Sequence, residues 1–191
     1  MDSFESIVTN KGDAMNLSKL IRPVKEIYSS MRQEPLPDNP GIYAFWWLGN
    51  KDDLLKANTQ MTLKGPGGNP VSIKYGDWWP SDLNYPCLYV GKTTRIKNRF
   101  SLHIRNGTSG RMHTSPNARN DKIKPKTTSC QLRFGIEHVF KNETNPLKLI
   151  HENVGFSYEE IDGENAIVER FFKEDLLIGK WRPWFNIDSE R

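Results

Sequence analysis

The feature that most constrains the fold is a pair of short, strongly apolar segments that lie far apart in the sequence. Residues 42–48 read IYAFWWL and residues 87–91 read CLYVG. Aromatic and β-branched side chains favour sheets, so both segments are predicted to be core strands. Glycine and proline residues between them, with clear turn signals in 65–70, predict a turn-rich insertion that also holds a strand at 71–75.

Hydrophobic periodicity predicts the other elements. Apolar residues recur every three or four positions over 17–32, which indicates an amphipathic helix. Its regular part should begin near Arg22, because Pro23 suits a first helical turn. Residues 131–140, QLRFGIEHVF, alternate well enough to be a third strand. Three further helices are predicted over 96–104, 145–150 and 162–178, the last beginning at an Asp162 N-cap and ended by Gly179.

Together these segments predict an α+β fold with a small central antiparallel three-stranded sheet flanked by helices. The 191 residues are enough for one compact domain with a substantial core. Within it we expect an N-terminal helical extension over 1–36, a strand-to-strand insertion over 49–86 and a basic loop over 106–129. The basic loop is almost free of apolar residues, and loops of that length in compact domains are usually functional or disordered.

The positive charge of the chain is concentrated in one segment. Residues 92–126 contain ten Lys or Arg and a single acid, a net +9 that leaves −5 on the rest of a chain whose total is +4. A basic segment on an otherwise acidic chain is typical of proteins that bind polyanions such as nucleic acids. A solvated basic loop without a partner is the alternative.

The composition is that of a soluble protein. There is no run of about 18 apolar residues to span a membrane, and no basic leader with an apolar core to direct secretion. The two cysteines, Cys87 and Cys130, have no CxxC partner and no histidine at ligand spacing. We therefore expect reduced thiols in a cytoplasmic protein rather than a zinc site.

Two candidate site residues lie on the helix predicted after the second strand. Arg99 and His103 are four positions apart and therefore share a helix face. Arginine offers a fixed cation with forked donors that suits a phosphate, and histidine can carry a proton near neutral pH. A basic surface helix would contain the same pair, so this spacing leaves both interpretations open.

A carboxylate on the last predicted helix is a sharper candidate. Glu174 shares its face with an apolar stripe, where a carboxylate is costly unless it is paired or binds a metal. The stripe consists of Ile167, Phe171 and Ile178. Glu169, by contrast, lies four residues before Lys173, as in an ordinary exposed ion pair. Periodicity therefore favours Glu174 as functional, with a boundary carboxylate paired to Lys or Arg as the alternative.

Two tripeptides begin an ordered set of motifs. Gly41-Ile42-Tyr43 lies at the start of the first core strand, and Tyr89-Val90-Gly91 ends the second and is followed directly by Lys92. Arg99 comes ten residues after the second tyrosine, and His103 four residues later. Either tripeptide could occur by chance, so the order and spacing of the set carry more weight than its parts.

A closing segment completes the set. From Glu174 to Asn186 a helical glutamate, apolar residues, a proline, an aromatic residue and an asparagine follow in register. The whole set, from 41 to 186, resembles the GIY-YIG nuclease family. In that family the two tripeptides are usually joined by a short hairpin, whereas 45 residues separate Tyr43 and Tyr89 here. Such an insertion is more similar to those of GIY-YIG restriction enzymes.

The resemblance implies hydrolysis of a phosphodiester bond by an activated water. Glu174 would hold one divalent cation, Mg²⁺ or Mn²⁺, through a hard oxygen ligand. Arg99 would bind the phosphate, and Tyr43 or Tyr89 would orient or deprotonate the water. The other implied site residues are Lys92 and His103, which would assist the base, and Asn186, which would fix the geometry. A polar turn residue after the helix is the alternative for Asn186.

The resemblance also implies double-stranded DNA as the substrate, and a homodimer would suit a palindromic site. Cations of the basic segment would contact phosphates, which position a protein without specifying a sequence. We expect this of Arg105, Arg111, Arg119, Lys122, Lys124 and Lys126. Aromatic residues within 75–85 could stack on bases, although such residues more often cover a core.

The expected function is thus a metal-dependent DNA endonuclease, most similar to a site-specific type II restriction enzyme. A phage, mobile-element or repair nuclease that selects DNA structure is the nearest alternative, and a nuclease acting on RNA is another. A non-catalytic nucleic-acid-binding protein that keeps the fold is the alternative from a different class.

Overall fold

The computed structural model describes residues 17–64, 66–105 and 131–187. Six strands lie within them: β1 (Arg22–Pro23), β2 (Gly41–Trp47), β3 (Gln60–Lys64), β4 (Pro70–Lys74), β5 (Cys87–Thr93) and β6 (Val154–Glu160). The same residues hold six α-helices: α1 (Val24–Ser30), α2 (Lys51–Lys56), α3 (Ile96–Arg105), α4 (Gln131–Val139), α5 (Pro146–Asn153) and α6 (Ala166–Trp181). Short 3₁₀ turns occur at Pro66–Gly68 and Trp184–Asn186.

The central sheet is antiparallel, with the strand order β1-β6-β2-β5. All seven residues of β2 are buried, which matches its continuous apolar sequence and its place between β6 and β5. The first core segment is therefore the middle of the sheet, and the second, β5, is an outer strand beside it. A separate hairpin-like pair is formed by β3 and β4.

The mixed α+β class is as expected, but the sheet has four strands and not the three that we predicted. The additional strand is β1, in which Arg22 pairs with Phe156 and Pro23 with Gly155 of β6. Proline lacks a backbone N–H, so it suits the outer edge of a sheet. The N-terminal helix consequently begins at Val24, and the regular helix is shorter than the predicted 17–32.

The prediction of a strand at 131–140 is wrong, because this segment forms helix α4. Leu132, Ile136 and Val139 are buried at helical spacing, and Arg133 pairs with Glu137 one turn later. The i,i+4 spacing of this pair favours helical geometry over alternation. The strand that completes the core is β6, which had not been predicted and which pairs along its whole length with β2.

The insertion between β2 and β5 contains α2 and the β3–β4 pair, of which only the second strand, near 71–75, had been predicted. Aromatic residues of the insertion pack against an aromatic residue that follows α6 in the sequence. Tyr75 and Trp79 stack on Trp184 with ring centroids 5.0 and 4.6 Å apart. The Trp184 indole N–H also donates to the Gly76 carbonyl at 2.9 Å. The insertion is therefore fixed to the chain that follows α6.

Helix α6 begins and ends later than predicted. It starts at Ala166 instead of at an Asp162 cap, and it continues past Gly179 to Trp181, whose indole is buried against Trp46. The residue that ends it is Arg182, in the left-handed conformation at φ 51° and ψ 53°. Burial of Trp181 explains the extra turn.

The predicted basic loop over 106–129 lies outside the described residues, as do residues 1–16. In the described part of the chain no helix is both long enough and apolar enough to cross a membrane.

Candidate active site

Strands β2 and β5 bring the two tripeptides side by side. Tyr43 lies opposite Gly91, and Phe45 lies opposite Tyr89. The rings of Tyr43 and Tyr89 are consequently neighbours, with centroids 6.0 Å apart, despite the 45 residues between them in sequence. Tyr89 is close enough to Tyr43 to raise the pKa of its hydroxyl group.

The glycines of the tripeptides are required by the space around them. A Cβ atom on Gly91 would lie 2.5 Å from the Tyr43 hydroxyl oxygen and 2.9 Å from Cε1 of Tyr89. A Cβ atom on Gly41 would lie 2.1 Å from the carbonyl oxygen of Glu159 on β6. Real contacts of this kind are essentially never below 3.0 Å, so only glycine allows both tyrosines to occupy these positions.

Helix α3 carries His103 beneath the two tyrosines. The Tyr43 hydroxyl and His103 Nε2 lie 2.9 Å apart and share a hydrogen bond whose direction depends on the histidine tautomer. Both side chains are essentially inaccessible, at 1% and 0% exposure. Among the described residues, His103 Nδ1 has no hydrogen-bond partner. Tyr89, at 9% exposure, is the more accessible of the two tyrosines.

Burial sets the protonation of this pair. It lowers the pKa of His103 to about 3, and the positive charge of Arg99 adds to the effect. Burial also raises the pKa of Tyr43 well above 10, as do Tyr89 and Glu174, while Arg99 opposes them. Near neutral pH the resting site therefore holds a neutral imidazole bonded to a neutral phenol.

Glu174 on α6 is bonded to Lys92 on β5 through both carboxylate oxygens. One oxygen accepts from the Lys92 backbone N–H at 2.9 Å, and the other pairs with the Lys92 ammonium group. The Glu174 side chain is only 14% exposed. The Lys92 ammonium also lies 4.8 Å from the centre of the Phe171 ring. The paired boundary carboxylate that we kept as an alternative is thus the arrangement observed, with Lys92 as its partner.

The stripe that led us to Glu174 is not the buried face of α6. Ile167 and Phe171 are 76% and 50% exposed, and the face that packs on the sheet carries Leu177 and Trp181. Glu174 lies at the border of that face, one turn before Ile178. The predicted pair of Glu169 with Lys173 is also replaced, because Lys173 reaches Glu159 on β6.

Asn186 connects the end of the chain to the same strand. Its side-chain oxygen accepts from the Val90 N–H and its side-chain nitrogen donates to the Val90 carbonyl, both at 2.8 Å. Because β5 is the outer strand, these bonds use backbone groups that no neighbouring strand takes. Asn186 therefore fixes the backbone directly beside Tyr89.

An open groove of about 560 Å³, here called the cationic groove, lies between α3 and α6. Four of its side chains are cationic and none is acidic; the cations are Lys92, Arg95, Arg99 and Arg170. The other lining residues are Thr93, Thr94, Asn98, Leu102, Ile167 and Phe171. Asp38 binds the Arg95 guanidinium, and the Ile161 carbonyl accepts from Arg170. A phosphate anion suits this lining.

The arginines that support the groove were not singled out from the sequence. Arg133 on α4 is buried, donates to Glu137 at 2.9 Å, and donates to the carbonyl of Ile104 at 2.6 Å. Ile104 belongs to the last turn of α3, the helix of Arg99 and His103, so Arg133 holds that helix in place. The i,i+4 spacing of Arg133 and Glu137 was the available signal.

The residues expected to bind DNA are only partly described. Arg105 ends α3 and is exposed. The other five, Arg111, Arg119, Lys122, Lys124 and Lys126, lie outside the described residues. Of the aromatic residues in the insertion, Tyr75 and Trp79 are core residues, whereas Trp78 is half-buried and Tyr85 is 40% exposed.

The residues present fit a metal ion only as a minimal site. The described residues hold no group of three or more His, Cys, Asp or Glu that could bind a metal, so a metal at Glu174 would have at most one further ligand of these types from them. Mg²⁺ commonly binds one or two carboxylates and completes its shell with waters and substrate phosphate. The cationic groove provides the place for such a phosphate, although Lys92 already neutralises the carboxylate.

The site thus combines a tyrosine pair, a buried histidine, a lysine–glutamate pair and a groove of cations. These groups come from β2, β5, α3 and α6, which are distant in sequence. Their chemistry has to be inferred from the residues themselves, since comparisons with protein-family models, curated proteins and solved structures find no match to this chain.

Proposed function

We propose that this chain is a metal-dependent endonuclease that hydrolyses phosphodiester bonds of double-stranded DNA. The observation that carries the proposal is a groove lined by Arg99 and Lys92, in which Lys92 is paired with Glu174. Helix α3, which carries Arg99, also carries His103, the hydrogen-bond partner of Tyr43. The ordered resemblance to GIY-YIG nucleases supports it. The long insertion between the tripeptides favours a site-specific, restriction-type enzyme within that class.

In this mechanism the cationic groove binds the scissile phosphate. Arg99 would donate to its oxygens, and Lys92 would add positive charge beside Glu174. A divalent cation, Mg²⁺ or Mn²⁺, held by Glu174 would neutralise phosphate charge and assist the leaving oxygen. The substrate phosphate competes for the Lys92 ammonium, which would free the carboxylate.

The tyrosines would orient the attacking water. Tyr89 is the more accessible and would meet the water first, while the ring of Tyr43 lies beside it and is more deeply buried. A proton lost by Tyr43 has His103 Nε2 as an acceptor 2.9 Å away. Burial opposes this transfer, because it raises the pKa of Tyr43 and lowers the pKa of His103, so the proton rests on Tyr43 in the folded chain.

The first prediction tests Glu174. We expect Glu174→Gln to reduce cleavage of plasmid and phage DNA in Mg²⁺ by at least about a hundredfold, because it removes the anionic ligand. Glutamine keeps an oxygen to accept from the Lys92 N–H, so the fold and DNA binding should persist. Cleavage by the unchanged protein should stop in chelator. Glu169→Gln, an exposed carboxylate on the same helix, is the matched control and should cut normally.

Outcomes of this assay separate the candidate functions. Full activity of Glu174→Gln would sink the metal assignment, and Arg99→Ala should lose cutting as well. Discrete fragments indicate a site-specific enzyme, whereas a need for damaged or branched DNA indicates a repair or mobile-element nuclease, and cleavage of RNA alone indicates a ribonuclease. Binding of nucleic acid without any cutting would favour the non-catalytic alternative, which the observed Lys92–Glu174 pairing suits.

A further inference from the structure

A second groove continues along α6 beyond the proposed active site. It has a volume of about 340 Å³, and we call it the tryptophan groove; its lining is Trp78, Ile178, Arg182, Pro183, Asn186 and Ile187. Ile178 follows Glu174 by one turn on the same helix face, about 6 Å along the axis. Asn186 is the residue that holds Val90 beside Tyr89. The groove thus shares helix α6 with Glu174 and shares Asn186 with the strand of Tyr89.

The lining of this groove is apolar except for one cation and one amide side chain. The Trp78 indole N–H donates to the Arg182 carbonyl at 2.9 Å, so the part of Trp78 that remains for a ligand is aromatic surface. The Asn186 amide oxygen and nitrogen are both bonded to Val90. Arg182 is the only charged residue of the lining. A planar aromatic group next to an anion, as in a nucleotide, suits this combination.

Arg182 occupies a backbone conformation that favours another residue type. It has a φ of 51°, and among the described residues it is the one non-glycine with positive φ. Glycine or asparagine usually ends a helix in this way, since other side chains make the left-handed region costly. No ion pair of the described residues involves Arg182, and its Nη1 makes one long hydrogen bond, 3.4 Å, to the Trp78 carbonyl. An exposed arginine kept where glycine would be less strained is consistent with a role for its side chain.

We propose that the tryptophan groove binds a nucleotide of the cut strand, with its base stacked on Trp78 and its phosphate paired with Arg182. This inference rests on the proposed function and adds a substrate subsite to it. Phe171 in the cationic groove and Ile178 are about 10 Å apart along α6. Phosphates of one strand rise by about 3.4 Å each, so a strand that follows α6 would place nucleotides about three positions apart in the two grooves.

The test uses each variant in two backgrounds. DNA binding is measured in the Glu174→Gln protein, which should bind DNA without cutting it, and cleavage kinetics are measured in the protein that keeps Glu174. Arg182→Gly should weaken binding of a labelled duplex several-fold and should lower the slope of log affinity against log salt by about one phosphate contact. Its melting temperature should not fall, because glycine suits the positive φ. Lys180→Ala, which removes an exposed cation from the opposite side of the same helix end, should change neither slope nor cleavage.

Trp78 gives an independent measurement. Trp78→Ala should weaken duplex binding by about tenfold through loss of stacking, with the salt slope unchanged, whereas Trp78→Phe should retain most of the affinity. In the cleaving protein both Arg182→Gly and Trp78→Ala should raise KM more than they lower kcat, because the subsite lies away from the reacting phosphate.

The inference and the function on which it rests fail in different ways. If the unchanged protein cuts DNA and Glu174→Gln does not, but Arg182→Gly matches Lys180→Ala in affinity and salt slope, the subsite is wrong and the nuclease stands. If no DNA is cut but Arg182→Gly still lowers binding and the salt slope, the subsite stands and the nuclease proposal fails. Absence of any nucleic-acid binding overturns both.

Discussion

At the scale of single residues, His103 is fully buried in the proposed active site. With a pKa of about 3 in the folded chain, its imidazole stays neutral between pH 3 and 6.5, where an imidazole of the unfolded chain becomes charged. Between these two values the unfolded chain binds more protons than the folded chain, so acid favours unfolding. His103 thereby couples the proposed active site to the stability of the whole chain.

This coupling predicts a loss of stability on acidification. The free energy of unfolding should fall by up to about 1.4 kcal/mol for each pH unit below 6.5, and the slope should fade as pH approaches 3. Denaturant titrations between pH 5.5 and 6.5 measure it before most carboxylates contribute. His103→Gln should flatten the slope, whereas His151→Gln should leave most of it, since His151 is only half-buried. Equal slopes in both variants would contradict the buried neutral histidine.

The residue scale also shows what a sequence can reveal about the site. Tyr43, Tyr89 and Glu174 were selected from spacing and resemblance, and the fold places them on adjoining elements. The apolar stripe that pointed to Glu174 is nevertheless not the buried face of α6, because Ile167 and Phe171 are exposed. Periodicity measures which residues share a face, but it does not measure what that face packs against.

At the scale of elements, the segment after α6 makes hydrogen bonds to β5 that a neighbouring strand would otherwise make: Asn186 bonds both backbone groups of Val90. We predict that Asn186→Ala lowers the free energy of unfolding by about 1–3 kcal/mol, because both Val90 backbone groups lose their partners. DNA cleavage should also fall, since Tyr89 is adjacent to Val90. Denaturant titration measures the loss of stability. Cleavage rates, taken at a pH where the variant is folded, measure the effect on the proposed site.

Asn50→Ala is the control for this element. Asn50 caps α2 by accepting from the Asp52 N–H at 2.9 Å, so its loss should cost about 1 kcal/mol without any change in cleavage. If Asn186→Ala loses only stability, as Asn50→Ala does, then Asn186 has no part in positioning the site.

The elements whose structure is set by their own local sequence were predicted. Those that depend on pairing with a distant part of the chain were missed. Strands β2 and β5 are apolar enough to be recognised alone. Strand β1 has two residues and exists because β6 offers it an edge, and the segment of α4 alternates well enough to be taken for a strand although it folds as a helix. The long-range register that brings Lys92 to Glu174 has no local signature at all.

At the scale of the whole molecule, the proposed function raises the question of how two strands of a duplex are cut. A restriction-type enzyme at a palindromic site is expected to act as a dimer with matching symmetry. Helix α6 carries large apolar side chains that are exposed in the single chain, among them Val168 at 55%, Phe172 at 65% and Leu176 at 61%. Exposed apolar groups concentrated on one helix are typical of interaction surfaces.

We therefore predict a dimeric mass in sedimentation experiments, either for the free chain or with a duplex bound. Phe172→Lys should shift the population toward monomer, because it places a charge in an apolar contact. Leu20→Lys changes another exposed apolar residue, 57% accessible and remote from α6 in sequence, and should leave the mass unchanged. A monomeric mass in both conditions would argue against the dimer.

The two side-chain bonds to the outer strand have a further consequence, for the behaviour of the protein in concentrated solution. An unpaired strand edge is a template on which other chains can add and begin aggregates. On β5 the outward N–H groups of Val90 and Lys92 are already taken by Asn186 and Glu174. The residues that shape the proposed site thus also protect the sheet from strand addition, and their removal would expose the protein to self-association.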